Sequence, residues 1–172
     1  MIGSFDTLIG VILGFGLSEL SQWRKSRKAT RILRKALDAE LTSILRMTPD
    51  KEDILVQAIE RFSTGSFMPT KCAMYPRNIY EKLVETAPEC LTNKERDCLH
   101  VVYERCRIID VSMNSMEERF NSITSAHSSL HAADAISSML RDLKSSLPVT
   151  SSMITSVLEN NPTNVFGASN DI

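Results

Sequence analysis

Glycine and proline are scarce in this sequence, which contains only six of each among 172 residues. A β-rich domain of this length needs many tight turns, and glycine and proline are the residues that best form them. No segment alternates between apolar and polar residues with the period of two that indicates a half-buried strand. These absences predict an all-α fold.

Motifs that would identify an enzyme are also absent. The chain has no G-x-x-x-x-G-K-[ST] or G-x-G-x-x-G phosphate-binding pattern and no G-x-S-x-G nucleophile pattern. Its cysteines form no C-x-x-C pair and lack the spacing of a zinc site; they are Cys72, Cys90, Cys98 and Cys106. We expect Cys98 and Cys106 to be core thiols. We predict a protein that is not an enzyme and that binds no cofactor and no metal.

Two histidines give the one pattern that resembles a metal site. His127 and His131 lie four residues apart, and Asp134 follows three residues later, so all three share a helix face. A zinc-protease helix needs a glutamate directly after the first histidine, where this chain has Ser128. Two solvent-facing histidines on a serine-rich helix explain the pattern more simply, and a metal-dependent helical enzyme is the minor alternative.

Net charge is low, at −1, but it is unevenly distributed. Residues 1–35 carry seven basic and two acidic side chains, whereas the remainder carries 13 basic and 19 acidic ones. The near-neutral total argues against nucleic-acid binding through bulk charge. A basic segment attached to an acidic body is nevertheless typical of a protein with a membrane surface or a nucleic acid as its neighbour.

Long apolar runs are few, and the clearest is Leu8–Leu17, which has no charged residue. The surrounding segment, 2–23, is mostly apolar but contains Asp6 and Glu19. As a helix its 22 residues reach about 33 Å, close to the ~30 Å hydrocarbon core of a bilayer. The uncharged stretch from Thr7 to Ser18 reaches only about 18 Å. We predict that the segment is a short, uncleaved membrane anchor. The alternatives are an interfacial or re-entrant helix and a buried helix of a soluble core.

A basic segment follows the apolar run directly, and its cations are Arg24, Lys25, Arg27, Lys28, Arg31, Arg34 and Lys35. Trp23 precedes it, at the position of an interfacial aromatic anchor. A signal peptide has its basic residues before the apolar run, not after it. The positive-inside rule predicts a single-pass protein of the bacterial inner (cell) membrane, with the N-terminus outside and the C-terminal domain cytoplasmic. The basic residues would bind anionic headgroups, with the lipid membrane as partner and no nucleic acid.

Small residues follow one face of the apolar segment: Gly3, Thr7, Gly10, Gly14, Ser18 and Ser21. Such a stripe lets helices approach closely in lipid, which predicts a homo-oligomer or a subunit of a membrane complex. The alternative is that glycine is simply common in membrane helices.

Helical spacing of apolar residues continues through the rest of the chain. One long helix is predicted to end at Thr48-Pro49. Thr48 would be the N-cap of the next helix, and Pro49 would occupy its first position. Residues 63–76 read as an unusually apolar loop. Thr92 and Glu95 form a capping box before a stripe that extends from Leu99 to Phe120.

The C-terminal third is predicted to be helical from about Leu130, with an interruption at Pro148 and a last short helix over 149–158. We predict a long N-terminal helix followed by an antiparallel helical bundle. Its domains would be a transmembrane anchor (1–23), a basic juxtamembrane helix (24–47), a cytosolic helical domain (48–159) and a flexible tail (160–172).

Three sequence features resemble a broad group of small bacterial membrane-anchored helical proteins. They are Trp-Arg-Lys-x-Arg-Lys at 23–28, Leu-Arg-Lys-Ala-Leu-x-Ala-Glu-Leu at 33–41, and Pro76-x-x-x-Tyr80-x-x-Leu83 before a capped helix with Tyr103. Such proteins accompany mobile elements and phage-defence loci, so the resemblance implies a membrane effector or an accessory subunit in antiviral defence. It implies no catalytic residues, and the serine-rich C-terminal third departs from the pattern.

Two functional interpretations follow from the residues. The first is a non-enzymatic single-pass membrane protein whose cytosolic helical domain self-associates or docks on a larger complex. The second is a soluble all-helical adaptor whose apolar N-terminal segment is buried in an obligate partner or oligomer.

Overall fold

The computed structural model describes the backbone of residues 3–126, 129–163 and 165, and the side chains of residues 23–123, 134–163 and 165. This described part of the chain contains helices and no strand, which confirms the all-α prediction. The helices are α1 (Gly3–Ser63), α2 (Asn78–Thr86), α3 (Asn93–Asn114), α4 (Met116–Ala126) and α5 (Ser129–Leu158), with a short 3-10 turn at Pro88–Cys90.

Helix α1 continues through Pro49, so the predicted helix boundary at Thr48-Pro49 is wrong. Proline removes one backbone hydrogen bond and crowds the preceding turn, which costs about 3 kcal/mol in a helix interior. Ile44 before the proline and Leu55 after it are both fully buried in the same core. Packing on both sides therefore holds the two halves in one helix, and Pro49 itself is exposed.

Gly65 ends α1 because the chain needs a left-handed residue there, with φ of +79°. The N–H of Ser66 donates to the carbonyl of Arg61 (2.9 Å), and the N–H of Gly65 donates to that of Phe62 (3.1 Å). These two bonds form a Schellman motif, which satisfies carbonyls left free at the helix end.

The capping box predicted at Thr92 and Glu95 is confirmed at the start of α3. The predicted apolar stripe is buried at its positions from Leu99 to Met116 and half-buried at Phe120, and Ser115 divides it between α3 and α4. Pro148 does not interrupt α5, contrary to the prediction. Leu147 and Ile154 are fully buried on either side of Pro148, so the reason is the same as at Pro49.

The core of the body is built around α1 and α5, which pack against each other. Helix α2 packs on α1, while α3 and α4 pack on α5. Among the described side chains, which begin at Trp23, Leu37 is the first buried one, and Leu33 packs against the core one turn earlier. We call residues 3–32 the arm and the part of the chain from Leu33 onward the body.

The loop over residues 64–77 packs on the body, as its apolar composition predicts. Phe67 stacks on Phe120 of α4, with ring centroids 4.3 Å apart. Tyr75 is buried, and the hydroxyl of Thr70 donates to the carbonyl of Met113 at 2.6 Å. The loop is thereby fixed to α3 and α4.

The prediction of a membrane anchor at residues 1–23 is wrong. In the part of the chain that the structure describes, no helix combines the length and the apolar character needed to cross a bilayer. The physical reason is that the uncharged stretch between Asp6 and Glu19, Thr7–Ser18, extends only about 18 Å as a helix, well short of a ~30 Å hydrocarbon core. The predictions of a single-pass membrane protein and of an inner-membrane location depend on this anchor, so they are wrong as well.

Candidate functional site

The predicted small-residue stripe of the arm lies on the backbone of α1, but its side chains, from Gly3 to Ser21, are outside the described side chains. The predicted interfacial anchor Trp23 is 52% exposed. The guanidinium of Arg27 lies over its ring, 4.0 Å from the centroid. This cation–π contact covers one face of the indole with a neighbour on the same helix.

The basic segment forms an exposed face of α1. Arg24, Arg27, Lys28 and Arg31 follow the spacing of one helix face and line an open groove of about 340 Å³. Lys25 and Lys35 are exposed as well. No acidic residue occurs between Glu19 and Asp38, so like charges face each other across successive turns, which destabilises a helix. The prediction that this face binds a membrane surface was based on the predicted membrane anchor at residues 1–23.

Arg34 differs from the other cations of the segment because it joins the arm end of α1 to α3. Its Nη2 lies 2.6 Å from Oε1 of Glu95, and its Nε lies 3.5 Å from Oδ1 of Asp38. The other Glu95 oxygen accepts from the N–H and hydroxyl of Thr92. Burial alone would raise the pKa of the Glu95 carboxyl, but the hydrogen bonds from Arg34 and Thr92 together lower it.

We expect Glu95→Gln to destabilise the protein at neutral pH and to have a smaller effect in acid. Because the pKa of Glu95 is lower in the folded protein, the carboxylate stabilises the fold above its ordinary pKa, and this stabilisation is lost as the pH falls through the folded value. Urea unfolding of the wild type and the variant at pH 7 and pH 3 measures the difference. Arg34→Gln should reproduce the neutral-pH loss, and a Glu95→Gln effect that stays constant with pH would contradict the assignment.

A buried polar network surrounds Lys51, whose side chain is only 2% exposed. Its ammonium donates to Oδ1 of Asp110 (2.9 Å), to the carbonyl of Ala73 (2.6 Å) and to Sγ of Cys72 (3.0 Å). The ammonium also lies over the ring of Tyr75, 4.4 Å from its centroid. All three ammonium hydrogens therefore have acceptors, as a buried charge requires.

Asp110 completes this network on α3. Its second oxygen, Oδ2, accepts from the backbone N–H of Tyr75 at 2.9 Å. A hydrogen bond of 3.2 Å joins the Tyr75 hydroxyl to Oγ1 of Thr48, and burial raises the pKa of that tyrosine. The network thus connects α1, the loop over 64–77 and α3 at one point.

A second buried network surrounds Glu40 of α1. Its Oε2 accepts from the N–H of Ile79 (2.9 Å), and its Oε1 accepts from the N–H of Tyr80 (3.1 Å) and the hydroxyl of Tyr103 (2.6 Å). The rings of Tyr80 and Tyr103 stack with centroids 4.1 Å apart. Burial, and then the hydrogen bond to Glu40, raises the pKa of Tyr103, which keeps its hydroxyl a donor.

Glu40 therefore caps α2 from another helix. Residue Arg77, which precedes α2, provides no side-chain cap. Ile79 and Tyr80 occupy the second and third positions of α2, whose N–H groups a capping side chain normally satisfies. A carboxylate at this end also interacts favourably with the helix dipole.

The cysteines divide into two buried and two half-buried thiols. Cys98 and Cys106 are core thiols, as predicted, with 0% and 2% exposure. Burial, and then the Asp110 carboxylate, raises the pKa of Cys106 to about 12. Cys72 and Cys90 are half-buried.

The predicted histidine pattern falls largely outside the described part of the chain. His127 and the side chain of His131 are not described, and Asp134 is exposed on α5. Within the described residues, no three histidine, cysteine or acidic side chains form a group that could hold a metal ion.

Comparison with known proteins gives no match among family models, curated proteins or solved structures. The two buried networks connect helices and loops, whereas the basic face of the arm is exposed.

Proposed function

We propose that the protein is a non-enzymatic helical adaptor that associates with copies of itself through the arm. The observation that carries this proposal is the length of α1, which runs from Gly3 to Ser63 although the core of the body begins only at Leu33. The described side chains of the arm support it, because residues 23–29 are all exposed.

An arm of this kind needs packing from another molecule. Its 30 residues extend about 45 Å as a helix. An isolated helix is marginal in water, and each glycine in its interior costs about 1 kcal/mol relative to alanine. The arm contains Gly3, Gly10, Gly14 and Gly16 together with the apolar run Leu8–Leu17. Burying that run against another helix compensates for both costs.

A second copy of the chain is the partner that fits the arm. The small residues at Gly10 and Gly14 lie on one face and let two backbones approach closely. The same face on two copies can pack against itself, which is the usual basis of a symmetric dimer. The basic face lies between the apolar run Leu8–Leu17 and the body. Repulsion between the basic faces of two copies keeps both faces exposed to solvent in the assembly.

We also infer that the body is an antiparallel helical bundle. Arg105 on α3 donates to Thr150 and Ser146 on α5. Cys98, about two turns earlier on α3, instead interacts with Ser156 and Thr163, which come later in the chain. This order of contacts supports opposite directions for the two helices.

Sedimentation velocity of the full chain tests the proposed association. We expect a discrete oligomer that becomes more stable as salt screens the basic faces, and a monomer after deletion of residues 1–22. Gly10→Leu combined with Gly14→Leu should weaken association, because the added side chains separate the helices. Gly16→Leu is the matched control, since Gly16 lies off the small-residue face. A full chain that remains monomeric at micromolar concentration would overturn the proposal.

A further inference from the structure

A lysine and a cysteine lie in direct contact where the loop over 64–77 meets α1. Nζ of Lys51 is 3.0 Å from Sγ of Cys72, and the two residues are 21 positions apart in the chain. Lys51 is almost fully buried and cannot turn away, because Asp110 and the carbonyl of Ala73 hold its other two hydrogens.

Cys72 has two further contacts, both with residues of α3. The backbone N–H of Cys72 donates to Oδ1 of Asn114 at 3.1 Å, and Sγ lies 3.7 Å from Sδ of Met113. Cys72 is only half-buried, whereas Cys98 and Cys106 are buried. We therefore expect a small oxidant to reach Cys72 more readily than the two core thiols. Cys90 is also half-buried, but it has no lysine contact within the described part of the chain.

We propose that Lys51 and Cys72 form a reversible sulfenamide cross-link when the protein meets a peroxide. In the first step, the Cys72 thiol attacks hydrogen peroxide: an S–O bond forms, the O–O bond breaks, and the sulfur loses two electrons. The leaving hydroxide takes the thiol proton, so the products are the sulfenic acid of Cys72 and one water molecule.

Asp110 acts as the base in the second step. Its carboxylate lies 2.9 Å from Nζ and accepts one proton from the Lys51 ammonium. Rotation about the Cε–Nζ bond then directs the lone pair of the neutral amine towards Sγ of Cys72. The amine attacks the oxidised sulfur, so that an N–S bond forms and the S–O bond breaks. The departing hydroxide takes a proton from the nitrogen and leaves as a second water. One thiol, one amine and one peroxide thus give one N–S bond and two waters.

The product joins α1 covalently to the loop over 64–77. That loop already contacts α3 through Tyr75 and Asp110, so the cross-link fixes a junction of three elements. A thiol reductant reverses it by attack on the sulfur, which releases the lysine amine. Formation of the cross-link does not depend on the oligomeric state of the arm.

Tryptic mass spectrometry of the folded full chain after peroxide treatment tests the cross-link. We expect the peptides 47–61 and 72–77 to appear as one species, with the mass of their sum less two hydrogens and with Lys51 uncut. Dithiothreitol should separate them. Cys90→Ser, the matched control, should leave the yield unchanged, whereas Cys72→Ser should abolish the species.

Two other results would overturn the proposal. One is conversion of Cys72 to sulfinic or sulfonic acid while trypsin still cleaves after Lys51. The other is a disulfide at Cys72 as the main oxidised product. Both are read in the same wild-type digest, so the test does not depend on how well any Lys51 variant folds.

Discussion

Replacement of Lys51 by methionine is expected to lower the free energy of unfolding by about 3–5 kcal/mol, because it leaves the buried Asp110 carboxylate without its counter-charge. Asp110 is 5% exposed and lies 2.9 Å from the ammonium, so water cannot replace the lost partner. The carbonyl of Ala73 loses its donor in the same variant. Urea unfolding, followed by circular dichroism, measures the loss.

Lys71→Met is the matched control for this variant. Lys71 also contacts a carboxylate, that of Glu117 at 3.2 Å, but its side chain is 66% exposed. An exposed pair contributes between 0 and about 1 kcal/mol, so this substitution should change stability only slightly. Comparison of the two variants therefore separates the effect of burying the ion pair from the effect of replacing a lysine with methionine.

A double variant tests whether the loss comes from the uncompensated charge. Asp110→Asn removes the charge but keeps an oxygen for the Tyr75 N–H. Lys51→Met combined with Asp110→Asn should cost at least about 1 kcal/mol less than the two single losses added together. Additive losses, or a Lys51→Met protein as stable as the Lys71→Met control, would show that the pair is not coupled.

The helical fold could be predicted from the sequence because it follows from local patterns. The stripe from Leu99 to Phe120 and the capping box at Thr92 are set by residues three and four positions apart. The helix ends at Pro49 and Pro148 were predicted wrongly, since a local rule treats proline as a break. Packing on both sides of each proline depends on distant residues, which a single sequence does not reveal.

The buried networks left only a faint signal in the sequence. Lys51 occupies a core position of α1, with Thr48 and Leu55 one turn away on the same face. Asp110 likewise lies on a buried face of α3, with Cys106 and Met113 one turn away on either side. A charged residue on an apolar face indicates a buried pair, but its partner lies 59 positions away and no local spacing identifies it.

The membrane-anchor prediction failed for a different reason. The required length was reached only by counting charged residues together with apolar ones. Only Leu8–Leu17 is continuously apolar, and the rest of the span was counted across Asp6 and Glu19. Apolar runs of 10–14 residues more often pack against protein. The same ten residues fit the helix contact that we propose for the arm.

Glu40→Ala is the second substitution for which we expect a large effect, with a loss of about 3–5 kcal/mol, because a charged acceptor is removed from three buried or half-buried donors. Two of them are N–H groups at the start of α2, and the third is the Tyr103 hydroxyl. Urea unfolding measures the total loss. Hydrogen exchange over residues 78–86 shows whether α2 opens independently of the rest of the body.

Three further variants separate a tertiary helix cap from a general loss of packing. Glu85→Ala is the matched control, since Glu85 is an exposed glutamate on α2 itself and should cost little. Tyr103→Phe removes one donor only and should cost about 1–3 kcal/mol without faster exchange in α2. Glu40→Gln retains one oxygen but turns an amide toward a donor, so we expect an intermediate loss. If α2 exchanges no faster in Glu40→Ala than in Tyr103→Phe, Glu40 does not act as its cap, and the helix is held by the contacts of Leu83 with the core instead.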